Sequence, residues 1–243
     1  MPIGIIVNVL SVFIGGILGA VIGNRMSDDF KENMNMVFGA CAMAMGVASI
    51  VLMENMPAVI LALILGTIIG LVIHLGELIN AGGAAMQRFI SRFVHSSGSG
   101  LPKQEFESML LTIIVIFCAS GTGIYGSMVS GMTGDHSILL AKSIMDLFTA
   151  LVFGCSLGAV VSLVAVPQGI IFILMFVAAG VIYPLTTPVM IADFKACGGI
   201  IMLVTGFRMI KVKEFPVADM IPAMILAMPF SWLWTSFILP FVS

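Results

Sequence analysis

The chain has 243 residues, of which 60% are hydrophobic and only 9% charged, with a formal net charge of -2. Soluble domains carry about a quarter charged residues, so this chain lacks the polar surface to coat a water-soluble globule. The thin charge forms no basic stripe, which excludes a nucleic-acid binder. Cys41, Cys118, Cys155 and Cys197 stand singly in apolar stretches, without the pairing that metal or redox motifs need.

Apolar runs of about 20 residues recur along the chain, each long enough to cross a hydrocarbon core of roughly 30 Å. Pro, Gly and charge clusters divide them into eight expected spans: 3–23, 33–53, 57–79, 108–131, 138–166, 168–188, 196–212 and 217–241. The expected fold class is an all-α membrane protein of about eight transmembrane helices, a single polytopic membrane domain over 1–243. Met1-Pro2-Ile3-Gly4-Ile5-Ile6 has no basic region, and no obvious cleavage site precedes Asn24-Arg25-Met26, so the opening reads as a retained first helix.

In that helix Gly15, Gly19 and Gly23 keep a spacing of four, as do Gly66 with Gly70 and Gly154 with Gly158. Such ridges let helix backbones approach closely where lipid gives no hydrophobic push, and they offer a face for a homo-oligomer. Asn8 and Ser11 share the face of Gly15 and Gly19, so they turn inward, either to bridge helices or to meet a solute. His74 continues the Gly66–Gly70 face with Glu77 one turn on; an interfacial pair is the simpler reading and a proton relay the sharper one.

The segment 80–107 is the only long polar stretch. Over 84–94, Met86, Phe89, Ile90 and Phe93 lie opposite Arg88 and Arg92, as in an interfacial amphipathic helix, and the Ser/Gly run at 96–100 reads as a linker. In the fourth span, ten apolar residues run into Ser120-Gly121-Thr122-Gly123-Ile124-Tyr125-Gly126. Glycine at this density predicts a break, and a break at membrane depth frees backbone groups that only protein or a water-filled cavity can satisfy. Gly121 and Gly123 would expose backbone, with hydroxyls from Ser120, Thr122 and Tyr125; the alternative is an ordinary span fraying at its outer end.

In the fifth span Asp146, Ala150, Gly154, Gly158 and Ser162 form one i to i+4 row, extended outward by Lys142, with Thr149 three residues beyond Asp146. The row turns Asp146 inward, and an ionisable group inside a bundle is a functional candidate as a relay or ligand. The alternative is an interfacial ion pair with Lys142. In the sixth, Tyr183-Pro184-Leu185-Thr186-Thr187-Pro188 is a second helix-breaking stretch, a gate or a plain terminator.

Pro2-Ile3-Gly4-Ile5-Ile6 resembles Pro167-Gln168-Gly169-Ile170-Ile171, and Pro57-Ala58 with Ile60-Leu61-Ala62 resembles Pro222-Ala223 with Ile225-Leu226-Ala227, while Asp29-Phe30-Lys31 recurs as Asp193-Phe194-Lys195. This predicts repeat one over 1–79 and repeat two over 167–243, separated by the cytoplasmic segment 80–107 and two connecting helices over 108–166. Two intervening helices would invert the second repeat, an architecture of secondary transporters. A rival alignment pairs Leu18-Gly19-Ala20-Val21 with Leu157-Gly158-Ala159-Val160.

Orientation is read from Lys and Arg, which cytoplasmic loops retain. With both termini outside, inner loops hold Arg25, Lys31, Arg88, Arg92, Lys103, Arg208, Lys211 and Lys213, against Lys142 and Lys195 outside. Enzyme chemistry is not expected: the three histidines form no metal motif, and the carboxylates lie mostly in loops, so neither triad nor cofactor site assembles.

The opening Pro-Ile-Gly-Ile-Ile-Val-Asn with Gly15, Gly16 and Gly19, the Phe38-Gly39-Ala40-Cys41 of the second span and Gly121-Thr122-Gly123-Ile124 resemble the YdfK/YqgA-like bacterial membrane proteins, domain of unknown function 554. The resemblance implies a transporter of unassigned substrate and supplies no binding residues. The leading functional expectation is a secondary transporter or permease for a small polar solute in a bacterial inner membrane, with ion coupling left open. A channel-like pore and a non-transporting scaffold are the alternatives. The expected substrate site is Asn8, Ser120, Gly121, Thr122, Gly123, Tyr125, Asp146 and Thr149, with the bilayer and a small molecule or ion as partners, and no nucleic acid.

Overall fold

The computed structural model describes residues 1–23, 26–91 and 103–242, and among these every regular element is helical. In chain order they are α1 Ile3–Ile22, α2 Asp28–Ile50, α3 Met56–Val72, α4 Leu75–Ser91, α5 Lys103–Cys118, α6 Gly121–Thr133, α7 Ser137–Leu157, α8 Val160–Leu163, α9 Ala165–Ile182, α10 Pro188–Met209, α11 Ile221–Leu233 and α12 Leu239–Val242. Seven helical stretches are long and apolar enough to cross a membrane, eight if the broken α3–α4 pair forms one span. Arg25, Arg92, His95 and the Ser/Gly run at 96–100 lie outside the described residues.

The chain forms two compact units, residues 1–35 with 78–181 and residues 36–77 with 182–243. In the first, Gly15 and Gly19 of α1 admit the backbone of α7: a Cβ there would collide with the carbonyl oxygens of Leu147 and Leu151. Gly4 meets Leu139 further up, so contacts advance together along both helices and α1 runs parallel to α7. Parallel packing is the relation of first and fifth spans under strict alternation, with α5 and α6 crossing once between them. The outward face of α1 carries Ile3, Ile6, Leu10, Ile14 and Ile17, which suits lipid as solvent. Behind α7, Leu110, Ile113, Ile114 and Phe117 of α5 form an apolar core with Val160, Val161 and Val164.

In the second unit Gly39 and Gly46 of α2 pack against Gly206 and Gly199 of α10, while Gly66 of α3 packs against Ala223 of α11 and Gly70 against Asp219 in the turn just before α11. Both pairs are antiparallel, so Pro57 and Pro222 start their helices from opposite ends of this unit. The turn after α3 is held by Asp219, whose carboxylate accepts from the Gly76 N–H at 2.8 Å, and His74 there has φ 53°.

Several boundaries differ from expectation. The fifth span does not run to 166; α7 stops at Leu157 because Gly158 adopts φ 78° and closes onto the Gly154 carbonyl. Gly158, like Gly23 with φ 65°, is a helix cap with open space where a Cβ would stand, and not part of a packing ridge. The seventh span starts at Pro188 instead of 196, because Thr187 caps it by accepting from the Met190 N–H. Lys195 therefore lies within α10, and Lys142 within α7, where the loop-charge reading had placed both in outer loops. The third span ends at Val72, and the amphipathic helix begins earlier than 84, at Leu75.

Candidate functional site

The first unit contains a buried cluster of charged and amide side chains. On α7 the Lys142 ammonium donates to Asp146 Oδ1 at 2.7 Å, with the residues 4% and 5% exposed. The pair is thus buried within the bundle, and the carboxylate is not free. The other carboxylate oxygen, Oδ2, accepts from Asn8 Nδ2 of α1 at 2.9 Å and from Gln168 Nε2 of α9 at 3.2 Å. Gln168 Nε2 also donates to Asn8 Oδ1 at 2.8 Å, and both amides are fully buried. Its own carbonyl oxygen, Oε1, is buried without a hydrogen-bond partner.

Local sequence explains the convergence. Asn8 falls two turns before Gly15, so the close approach of α1 to α7 carries it onto the Asp146 face. Gln168 lies one turn before Phe172, whose ring fills the space left by Gly123 on α6; the Lys142 stem passes over that same glycine, and a Cβ there would meet its Cε at 2.9 Å. The break and the carboxylate are therefore joined through Lys142.

The break itself is closed by its own residues. Ser120 caps α6, accepting from the Gly123 N–H at 3.3 Å, and the Ser127 hydroxyl donates to the Gly123 carbonyl at 2.7 Å. The Ser120 hydroxyl thus serves the helix start. Gly121, Thr122 and Tyr125 are buried, and Thr149 donates to the Met145 carbonyl of its own helix at 2.9 Å. Of the eight expected site residues, Asn8 and Asp146 bond directly, Gly123 stands against Lys142, and Ser120 and Thr149 bond locally. Gln168 is legible in sequence only as the second position of a repeated Pro-x-Gly-Ile-Ile segment.

The second unit holds a comparable cluster that sequence reading passed over. Asp193 of α10 is fully buried; its Oδ1 accepts the N–H groups of Glu54 at 2.9 Å and Asn55 at 2.8 Å, and its Oδ2 accepts from Asn55 Nδ2 at 2.9 Å and Ser231 Oγ at 2.6 Å. In both clusters an asparagine amide donates to an aspartate 138 residues later, a recurrence that could have drawn attention to Asp193.

A helical chain with seven or eight candidate membrane spans and carboxylates buried inside its helical bundles is a polytopic membrane protein. Residues 3–232 match the family described as "Protein of unknown function (DUF554)", and the chain belongs to it. It is 45% identical over 237 residues to the "Uncharacterized protein YqgA" of Escherichia coli (strain K12), covering 97% of this chain and 99% of that one. It is 22% identical over 233 residues to the "Uncharacterized membrane protein YdfK" of Bacillus subtilis (strain 168), covering 92% and 93%. No solved structure matches the chain.

Proposed function

We propose that this protein is a secondary transporter or permease for a small polar solute, without enzymatic chemistry, in a bacterial inner membrane. The observation that carries the reading is the buried Asn8–Lys142–Asp146–Gln168 cluster, since charged and amide groups inside a membrane bundle are expensive and mark solute or ion pathways. The antiparallel packing of α3 on α11 supports inverted repeats, the arrangement that lets one half of a transporter rock against the other. A thermal-shift screen of the purified protein against metabolites and ions tests the proposal, because a ligand that binds only the folded form raises the melting temperature. The expected result is a solute whose stabilisation disappears in Asn8→Leu. Stabilisation that survives both Asn8→Leu and Asp146→Asn would move the solute elsewhere, and a solute-free screen together with silent flux assays would remove the transporter reading.

Both termini are proposed to lie outside. With Lys142 and Lys195 inside helices, no lysine or arginine among the described residues remains in an outer loop, so the charge asymmetry is sharper than composition alone implies. Gly82 on α4 is exposed with open space around it, so Gly82→Cys in a background without native cysteines should fold. An impermeant thiol reagent is expected to leave it unlabelled in intact cells and to label it after permeabilisation; labelling in intact cells reverses the orientation.

A further inference from the structure

Each unit joins an asparagine to an aspartate through the same atoms. Asn8 Nδ2 donates to Asp146 Oδ2 at 2.9 Å in the first, Asn55 Nδ2 donates to Asp193 Oδ2 at 2.9 Å in the second, and each aspartate lies 138 residues after its asparagine. The next long helix then brings a further donor to the same oxygen: Gln168 Nε2 of α9 at 3.2 Å in the first unit, Ser231 Oγ of α11 at 2.6 Å in the second. The sequence repeats with the contacts, for Ile17-Leu18-Gly19 and Ile22-Gly23 stand as far beyond Asn8 as Ile64-Leu65-Gly66 and Ile69-Gly70 stand beyond Asn55. The two clusters share one arrangement and differ in how completely it is bonded. Asn55, Asp193 and Ser231 leave no buried side-chain oxygen or nitrogen without a partner, whereas Gln168 Oε1 is buried and bonds to none of the described residues. The orientation of this amide is forced: exchanging its oxygen and nitrogen would set a carbonyl oxygen against Asp146 Oδ2 at 3.2 Å and Asn8 Oδ1 at 2.8 Å, two acceptors facing a third. Since Nε2 takes the directions toward Asn8 and Asp146, the carbonyl oxygen aims away from both.

We propose that Gln168 Oε1 is the contact through which the first cluster binds an uncharged solute carrying an N–H or O–H donor, a primary amide or a polyol being the simplest cases. The second cluster is its self-sufficient counterpart and only holds helices together. The inference rests on the transport reading and names its substrate class. Ser231 completes its aspartate with a hydroxyl alone. Gln168 does the same work with its N–H groups and carries a carbonyl besides, an acceptor that joining the helices does not require. A bare carbonyl oxygen in a protein interior costs more than one hydrogen bond elsewhere returns, so a ligand that supplies a donor gains the difference on binding. A solute with acceptors alone gains nothing there, because a carbonyl oxygen offers only lone pairs. Charge decides the rest of the class. The Lys142 ammonium and the Asp146 carboxylate cancel each other at 2.7 Å, so the cluster as bonded is neutral. A net charge on the solute would be desolvated beside it with nothing to balance it, which a low-dielectric interior penalises far more heavily than an uncharged donor.

The test measures thermal melting of the full purified chain against short primary amides and polyols, each paired with its N,N-dimethyl or O-methyl derivative, with small amines and carboxylates as charged controls. Methylation keeps the oxygen acceptors and removes the donor. Polyols stabilise folded proteins generally by exclusion from the surface, so only a saturable gain counts as binding. At least one uncharged donor is expected to raise the melting temperature saturably, and its methylated partner is expected not to. Gln168→Leu should bind that donor about tenfold more weakly, the equivalent of one hydrogen bond to a buried acceptor. Ser231→Ala, in the second cluster, should leave the affinity unchanged. The absence of a saturable gain with any uncharged donor overturns the proposal and assigns Oε1 to water. Equal binding of a methylated partner also overturns it, as does an affinity that Gln168→Leu leaves intact. If Gln168→Leu does not fold, the methylated pairs measured on the wild type still decide. Charged solutes that bind while every uncharged donor is silent would sink this inference and leave the transport reading standing. An uncharged donor that binds as expected but is not carried into proteoliposomes would support the site and remove the transport reading.

Discussion

Lys142→Met is expected to destabilise the protein by about 3–5 kcal/mol, one of the largest effects available to a single substitution in this chain. Among the described residues the ammonium is the only cation bonded to Asp146, and both residues are buried, so removing it leaves a carboxylate with two amide donors and no counter-charge. Desolvating an ion costs several kcal/mol, and the amides offset only part of that. The double variant Lys142→Met/Asp146→Leu should recover most of the loss, because two apolar side chains restore a neutral interior. Equilibrium unfolding of both singles and the double closes a cycle that isolates the pair. Near-additive losses would mean that the two side chains act independently and that the 2.7 Å contact contributes little.

How far such a cluster can be read from sequence depends on what announces itself locally. Asn8 and Asp146 were found because each shares a helical face with small residues, and the small-residue face is the one that meets another helix. Gln168 has no such row. A Cβ on its neighbour Gly169 would meet Val9 alone, and one turn on Phe172 fills the gap at Gly123, a contact between distant segments. The fifth span was drawn too long because a glycine at a spacing of four can be a ridge or a cap; only the positive φ of Gly158 separates them. Lys195 reads from sequence as loop charge, and Asp193 only as part of a repeated Asp-Phe-Lys, for a related reason. A carboxylate inside a membrane helix is improbable until its donors are known, and those donors lie far off in sequence. Hydropathy, by contrast, reports the bilayer directly, so the helical class and the approximate number of spans followed from runs of apolar residues alone.

Asp193→Ala is expected to cost about 4–5 kcal/mol, placing it among the rare substitutions that threaten folding outright. The carboxylate pins two elements of the second unit to α10: the turn before α3, through the Glu54 and Asn55 N–H groups and the Asn55 side chain, and α11 through Ser231. Asn55 stands at the start of α3 with no side-chain cap of its own, since its amide donates to Asp193 and, at 3.3 Å, to Thr235. Removing the acceptor strands four donors, three of them in buried hydrogen bonds, each worth about 1–3 kcal/mol, and relaxation of the turn returns only part. Asp193→Asn is a weaker rescue than its shape suggests. One carboxylate oxygen becomes an N–H donor that faces either the two backbone N–H groups or the Asn55 amide, so about half the loss should persist. Ser231→Ala removes a single donor while leaving the carboxylate its other three bonds, and should cost about 1–2 kcal/mol. Detergent unfolding of the three variants is expected to rank Asp193→Ala below Asp193→Asn below Ser231→Ala in stability. If Asp193→Ala melts within about 1 kcal/mol of the wild type, the carboxylate does not hold α3 and α11 to α10, and the start of α3 is anchored by its apolar contacts alone.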